Sequence, residues 1–175
     1  DGSVDYNFSV NPNSINIYPE YRLETPGKVT ASAALILGKI GLISFDYSRK
    51  DYSSTKFRPV KDSYFATQNE IISNALTSAQ TFRLGGEFRV ERLSVRGGYA
   101  LIESPYLNKA VMDDSSTVSF GLGYNFGNTR LDLSYSTFEQ NRTNQLYQVG
   151  TSDSAPLAGI NSKNNNIFLT LGFSL

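Results

Sequence analysis

Apolar and polar residues alternate in seven segments of this chain. In the segment 29–37 every odd-numbered residue is apolar, and Thr30 and Ser32 lie between them. The same alternation recurs in 43–48, 82–90, 93–101, 118–125, 131–136 and 167–175. Successive side chains of a β-strand point to opposite faces, so a period of two predicts seven strands, each with one apolar face.

The connections between these segments favour strands that cross a membrane. Short turns at 39–41, 91–92 and 127–128 alternate with long connections at 49–80, 102–116 and 138–164. Outer-membrane barrels show this asymmetry, and their polar lumen suits the Gly, Ser, Ala and Asp that dominate the second face. The chain has no run of about 18 apolar residues that could form a transmembrane helix. We therefore expect an all-β fold, an antiparallel transmembrane β-barrel.

The short turns test this interpretation, because the length of a turn decides which residues lie opposite each other. A two-residue turn at 91–92 places Glu87 opposite Arg96, and one at 127–128 places Gly123 opposite Asp132. The three-residue turn 39–41 predicts a left-handed backbone conformation at Gly41. All three turns keep the apolar residues of neighbouring strands on one face.

Composition excludes several kinds of chemistry. The chain has no Cys and no His, so structural zinc sites, haem ligation by these residues, disulfides, a Ser-His-Asp triad and a Cys nucleophile are all excluded. Sixteen basic residues balance sixteen acidic ones, which gives nucleic acid no attractive field. We expect a protein that is not an enzyme, uses no cofactor or metal, and does not bind nucleic acid.

Five segments resemble the C-terminal half of FadL/TodX-type outer-membrane transporters, in the version from Bacteroidetes that is often labelled a hemin receptor. These segments are 21–34, 41–47, 83–89, 94–99 and 169–173. The resemblance implies a 14-stranded barrel in the bacterial outer membrane, with an N-terminal hatch in its lumen. It also implies passive uptake of hydrophobic small molecules such as long-chain fatty acids, with membrane lipid as the surrounding partner.

The hatch and the first half of that barrel have no counterpart in this sequence. We expect 1–175 to form one barrel segment, with 20–175 as a seven-strand meander that the N-terminal half or another chain closes. Residues 1–19 are expected to be an external loop or to hold an extra strand at 4–10. The extra strand would make a small eight-stranded structural or adhesive barrel, and a FadL-like barrel serving protein secretion is a further alternative.

Two sets of residues on the polar face are candidates for function. Charged side chains predicted to face the lumen could gate a channel or dock a hatch, or they could form a structural ion-pair ladder. They are Asp46, Arg83, Glu87, Arg89, Arg96 and Asp132. Glycines on the same face could admit a hatch or kink a strand, or simply allow the sheet to curve. They are Gly85, Gly98, Gly121 and Gly123.

The connection 49–80 contains the one helical pattern. Thr67 and Glu70 are spaced as a capping box, and the apolar residues that follow have helical spacing. The helix could line an uptake groove for a hydrophobic ligand, or it could merely pack on the mouth of the barrel. The candidate ligand-binding residues are Phe57, Phe65, Ile71, Ile72 and Leu76.

Overall fold

A computed structural model of the chain describes residues 20–145 and 157–173. The strands are β1 (Arg22–Glu24), β2 (Lys28–Leu37), β3 (Gly41–Asp51), β4 (Lys56–Arg58), β5 (Ser78–Val90), β6 (Leu93–Ile102), β7 (Met112–Asn125), β8 (Thr129–Gln145) and β9 (Leu157–Phe173). The helices are a short 3₁₀ turn (Tyr52–Ser54) and α1 (Ser63–Ala75). The strand at 4–10 that the sequence allowed, and the rest of 1–19, lie outside the described residues.

Seven strands form one antiparallel sheet in the order β2-β3-β5-β6-β7-β8-β9, in which neighbours along the chain are neighbours in the sheet. Strands β1 and β4 form a separate two-stranded sheet. The prediction of an antiparallel β-sheet protein with one short helix is confirmed. Within the described residues β2 and β9 each have one neighbour, so this sheet is open.

The predicted register is confirmed at two turns and needs correction at the third. Glu87 pairs with Arg96, and Gly123 pairs with Asp132. In the first hairpin, however, Leu37 pairs with Gly41, so the turn is 38–40 and the left-handed residue is Gly38. Gly41 is a glycine for another reason, because a Cβ there would collide with the backbone carbonyl of Glu87 on β5.

The last two strands are longer than the alternation of apolar residues predicted. Both β8 and β9 have 17 residues, and they pair without interruption from Thr129 and Phe173 to Gln145 and Leu157. Most of the predicted loop 138–164 is therefore strand. The hydrophobic pattern fades there because polar residues occupy both faces, whereas the backbone hydrogen bonds continue.

The apolar side chains of the seven strands form one continuous surface, which we call the apolar belt. Its members, as the register places them, are Leu35, Leu37, Ile43, Phe45, Tyr47, Phe82, Leu84, Phe88, Val90, Leu93, Val95, Tyr99, Leu101, Val118, Phe120, Leu122, Tyr124, Leu131, Leu133, Tyr135, Ile167, Leu169, Leu171 and Phe173. Most of them are exposed, as Leu169 shows at 69% and Ile167 at 74%. Among the described residues only Phe65 and Ala79 are buried hydrophobic residues. The sheet therefore has an uncovered apolar face and no hydrophobic core of its own.

The apolar belt runs obliquely across the sheet. A row is a line of residues that pair directly across neighbouring strands. On β5 the belt extends to Phe82, and the row through Phe82 reaches Lys163 on β9. On β9, however, the belt extends only to Ile167, four residues short of that row. The four residues from 163 to 167 correspond to about 13 Å along β9, and the four strand spacings from β5 to β9 correspond to about 19 Å across the sheet. The boundary of the belt is therefore inclined by about 35° to the rows, as this spacing implies.

The segment between β3 and β5 forms a small lobe from β4, α1 and the added strand β1. Helix α1 begins at Ser63, because the Asp62 carboxylate accepts hydrogen bonds from the backbone N–H groups of Tyr64 (2.9 Å) and Phe65 (3.3 Å). The predicted capping box at Thr67 and Glu70 is therefore wrong, since Thr67 lies inside the helix. The earlier start allows α1 to bury Phe65. Across the part of the chain that the structure describes, no helix combines the length and the apolar character needed to span a membrane.

Candidate functional site

Five charged side chains on the polar face form a chain of ion pairs, which we call the charge ladder: Arg89, Glu87, Arg96, Asp132 and Arg130. Arg96 is at its centre, where its Nε donates to Glu87 Oε2 (3.0 Å) and its Nη1 to Asp132 Oδ1 (2.6 Å). Arg89 pairs with Glu87, and Arg130 Nε lies 2.7 Å from Asp132 Oδ2. The charge ladder thus joins β5, β6 and β8 near the end of the sheet that carries the short turns.

The contact between Arg96 and Asp132 passes over a whole strand. Strand β7 lies between β6 and β8, so the two backbones are about 10 Å apart. A Cβ at Gly123 would collide with the Asp132 carboxylate and would lie 3.3 Å from Arg96 Nη1. A Cβ at Gly121 would lie at an ordinary 3.5 Å from Arg96 Cβ. Gly123 therefore makes room for the ion pair, whereas Gly121 is not required for it.

Four of the six predicted lumen charges belong to the charge ladder, and the other two do not. Asp46 and Arg83 lie opposite each other on β3 and β5, outside the charge ladder. Sequence reasoning missed Arg130, which precedes the predicted strand by one residue. The alternation could have identified Arg130, because residues two positions apart in a strand lie on the same face, and Asp132 is two positions further on.

The other two predicted glycines face the hydroxyl groups of neighbouring strands. A Cβ at Gly98 would lie 2.7 Å from Ser119 Oγ, and one at Gly85 would lie 3.0 Å from Ser44 Oγ. Gly85 and Gly98 pair directly, and the pairing of β5 with β6 continues through them without a shift. The structure thus gives both glycines a packing role, and a role in a hatch or kink stays a prediction.

On the apolar face, the next pair of glycines opens a groove in the apolar belt. Gly86 pairs with Gly97, and Ile43, Tyr99 and Phe120 rise around them. The groove has a volume of about 440 Å³ and an almost entirely apolar lining. It is a place where an apolar chain can approach the backbone of the sheet.

The candidate ligand-binding residues belong to the lobe, where the aromatic ones pack on each other. Phe57 and Phe65 stack with ring centres 5.8 Å apart, and Tyr21 meets the edge of Phe57 at 5.7 Å. On α1, Ile72 is half-buried and Ile71 is 53% exposed, and Leu76, which follows the last helical residue, is half-buried. The predicted set is therefore divided among an aromatic cluster, two half-buried aliphatic side chains and one apolar side chain that faces outward.

A side chain that the sequence did not single out connects the lobe's helix to its sheet. The Asn69 amide accepts from the Phe57 N–H (2.7 Å) and donates to the Phe57 carbonyl (3.0 Å). These two hydrogen bonds imitate the pairing of a further strand along β4. They fix α1 against β4 and so position Phe65.

In the described part of the chain, three ion pairs lie outside the apolar belt and the charge ladder, and one of them joins Lys163 on β9 to Glu139 on β8. Arg58 Nη2 is 2.9 Å from Glu24 Oε2, and this hydrogen bond holds the pKa of Glu24 below its ordinary value. Lys109 contacts Asp114 at 2.6 Å, which raises the pKa of the Lys109 ammonium. Exposed pairs of this kind contribute little to stability.

Residues 20–145 and 157–173 contain no group of acidic residues arranged to hold a metal ion. The sequence matches no family model, and neither a curated protein nor a solved structure matches it significantly. Function must therefore be inferred from the apolar belt, the charge ladder and the lobe.

Proposed function

We propose that this chain is half of a FadL/TodX-like β-barrel in the bacterial outer membrane, and that the barrel takes up hydrophobic small molecules such as long-chain fatty acids by passive diffusion. The observation that carries the proposal is the apolar belt, which is continuous over seven strands and is not covered by any part of 20–145 or 157–173. Burying a Leu, Ile or Phe side chain is worth roughly 1.5–3 kcal/mol. Membrane lipid would cover the whole belt at once.

The oblique course of the belt supports a membrane rather than a second protein layer. The rows of paired residues run perpendicular to the strands. If the belt lies parallel to the membrane plane, the strands must therefore tilt from the membrane normal by the angle between the belt and the rows. That angle is about 35°, and transmembrane barrel strands tilt by about 35–45°. The belt on β5, from Phe82 to Val90, is about 26 Å long, which at this inclination gives a height of about 22 Å, similar to the apolar band of such barrels, about 25 Å tall.

Closure of the sheet is the second requirement. Among the described residues nothing pairs with the outer sides of β2 and β9, and each unpaired backbone N–H or C=O group costs several kcal/mol in lipid. We infer that an N-terminal half or another chain supplies the strands between them. The polar face then becomes the lumen, which the charge ladder lines at its short-turn end.

Introduced tryptophans test the location, because the chain contains none of its own. Phe120→Trp places an indole in the apolar belt, and Ser119→Trp places one on the polar face of the same strand. In vesicles of brominated phosphatidylcholine, quenching of the first and not of the second is expected. Equal quenching, or none in either variant, would refute the membrane orientation.

Uptake of a fluorescent long-chain fatty acid by cells that express the full-length protein tests the activity. We expect Ile71→Asp to reduce uptake, because it puts a charge on the outward apolar surface of α1 without disturbing the buried Phe65. Ser73→Asp, an exposed position on the same helix, is the matched control. Unchanged uptake in Ile71→Asp would exclude α1 from the route, and no uptake by the unaltered protein would exclude the activity.

A further inference from the structure

A cleft of about 170 Å³ lies on the polar face beside the turns at 91–92 and 126–128. Arg89, Arg92 and Arg130 line it, together with Glu91 and Asn125. At roughly 30 Å³ per water molecule, the cleft has room for five or six waters or for one small anion. Three guanidinium groups at so small a cleft suggest a site for an anion.

The shape of the cleft follows from the register of the strands. Its floor is Ser94 and Gly123, which pair directly on β6 and β7 and have little or no side chain. Arg89 pairs with Ser94 from one side, and Arg130 pairs with Asn125 from the other. The two arginines therefore stand on opposite walls of a trough that small residues leave empty.

The charge ladder holds these two arginines in place. Glu87 accepts from Arg89 Nε, and Asp132 accepts from Arg130 Nε and Nη2. The two Nη groups of Arg89 and Nη1 of Arg130 lie outside these contacts. Both side chains are about half exposed, so a solute can reach them. Carboxylates that fix a guanidinium through one edge leave its other N–H groups oriented for a ligand.

The charges of the cleft and the charge ladder do not cancel. Arg89, Arg92, Arg96 and Arg130 stand against Glu87, Glu91 and Asp132, which leaves one positive charge in excess. The Asn125 Oδ1 accepts from the Gly127 N–H (2.8 Å), so its amide nitrogen is a further donor at the rim. One singly charged oxyanion would neutralise the cluster.

We propose that this cleft binds an oxyanion, a carboxylate or a phosphate group, through Arg89, Arg92 and Arg130. Planar guanidinium groups bind both anions with paired hydrogen bonds. The site does not depend on the proposed uptake of hydrophobic molecules, because soluble anions test it directly. If the anion is a carboxylate, acetate alone should occupy the site, and if it is a phosphate, inorganic phosphate should.

Calorimetric titration of the full chain in detergent, with inorganic phosphate and with acetate in separate arms, is the experiment. We expect saturable binding of at least one of them, weakened about tenfold or more in Arg92→Gln, which removes one charged donor. Arg92 is outside the charge ladder, so its loss leaves the ion pairs intact. Arg142→Gln is the matched control. Arg142 lies on the same face of β8 as Arg130, but at the opposite end of the strand, far from the cleft.

No binding in either arm, or equal weakening by Arg92→Gln and Arg142→Gln, would overturn the proposal. Chemical modification of the unaltered protein by phenylglyoxal gives a second measurement that needs no variant. The bound anion should slow the modification of Arg92 and leave that of Arg142 unchanged. Equal modification of Arg92 with and without the anion would also overturn it.

Discussion

Leu169→Arg places a charge in the middle of the apolar belt. On β9 the belt extends from Phe173 to Ile167, and Leu169 is 69% exposed between them. An arginine on the lipid face of a barrel costs about 2–4 kcal/mol at the bilayer midplane and about 0–1 kcal/mol near the interfaces. We therefore expect Leu169→Arg to lower the free energy of unfolding from phosphatidylcholine vesicles by about 2–4 kcal/mol.

Two control variants on the same strand separate lipid from other environments. Asn165→Arg lies about 13 Å further along β9, beyond the belt, and should cost about 1 kcal/mol or less. Thr170→Arg lies next to Leu169 on the polar face and should also cost little. Urea titration of all three variants in vesicles gives the comparison. Equal costs for Leu169→Arg and either control would refute a lipid-facing belt.

Three further results are expected. Gly123→Ala should lower the free energy of unfolding by about 1.5–3 kcal/mol, because it separates Arg96 from Asp132, whereas Gly121→Ala should be tolerated. Urea titration measures both, and a similar loss in the two variants would contradict the role of Gly123. A double-mutant cycle on Arg96 and Asp132 should show coupling of about 0.5–3 kcal/mol, and additive losses would mean that the ion pair contributes nothing. Asp62→Ala should weaken α1 by about 1 kcal/mol, seen as faster amide hydrogen exchange over 63–75, whereas Thr67→Ala should not; the reverse order would restore the capping box.

The register of the sheet could be predicted because it depends on local parity. The two-residue turn at 91–92 leaves one arrangement that keeps the apolar residues on one face, and it places Glu87 opposite Arg96. The first hairpin shows the limit of this reasoning. The predicted odd length of three residues was correct. However, the turns 38–40 and 39–41 both have three residues and contain a glycine, and both keep the apolar residues on one face. Only the approach of the Glu87 carbonyl, from a strand distant in sequence, explains why Gly41 belongs to β3.

The charge ladder could be predicted only in part, for a similar reason. Pairing rules relate neighbouring strands, so they identified Glu87 with Arg96 and Gly123 with Asp132. Arg96 and Asp132 lie on strands that are not neighbours, with β7 between them. Their contact is possible because Gly123 on β7 has no side chain that would block it. The helix start, in contrast, depends on a local residue, because Asp62 is a preferred N-cap residue immediately before Ser63. The packing of Phe65 against Phe57 could not be predicted, since no local pattern indicates that partner.

The two edges of the open sheet differ in length, since β2 has 10 residues and β9 has 17. A strand that pairs with all of β9 must be about 56 Å long, whereas β2 needs a partner of only about 33 Å. A closing segment with strands of one length would leave part of β9 exposed. If a further segment completes this sheet as proposed, it must therefore be asymmetric itself, with a long strand at one end and a short one at the other. That asymmetry would restrict its orientation to the one that brings its long strand to β9.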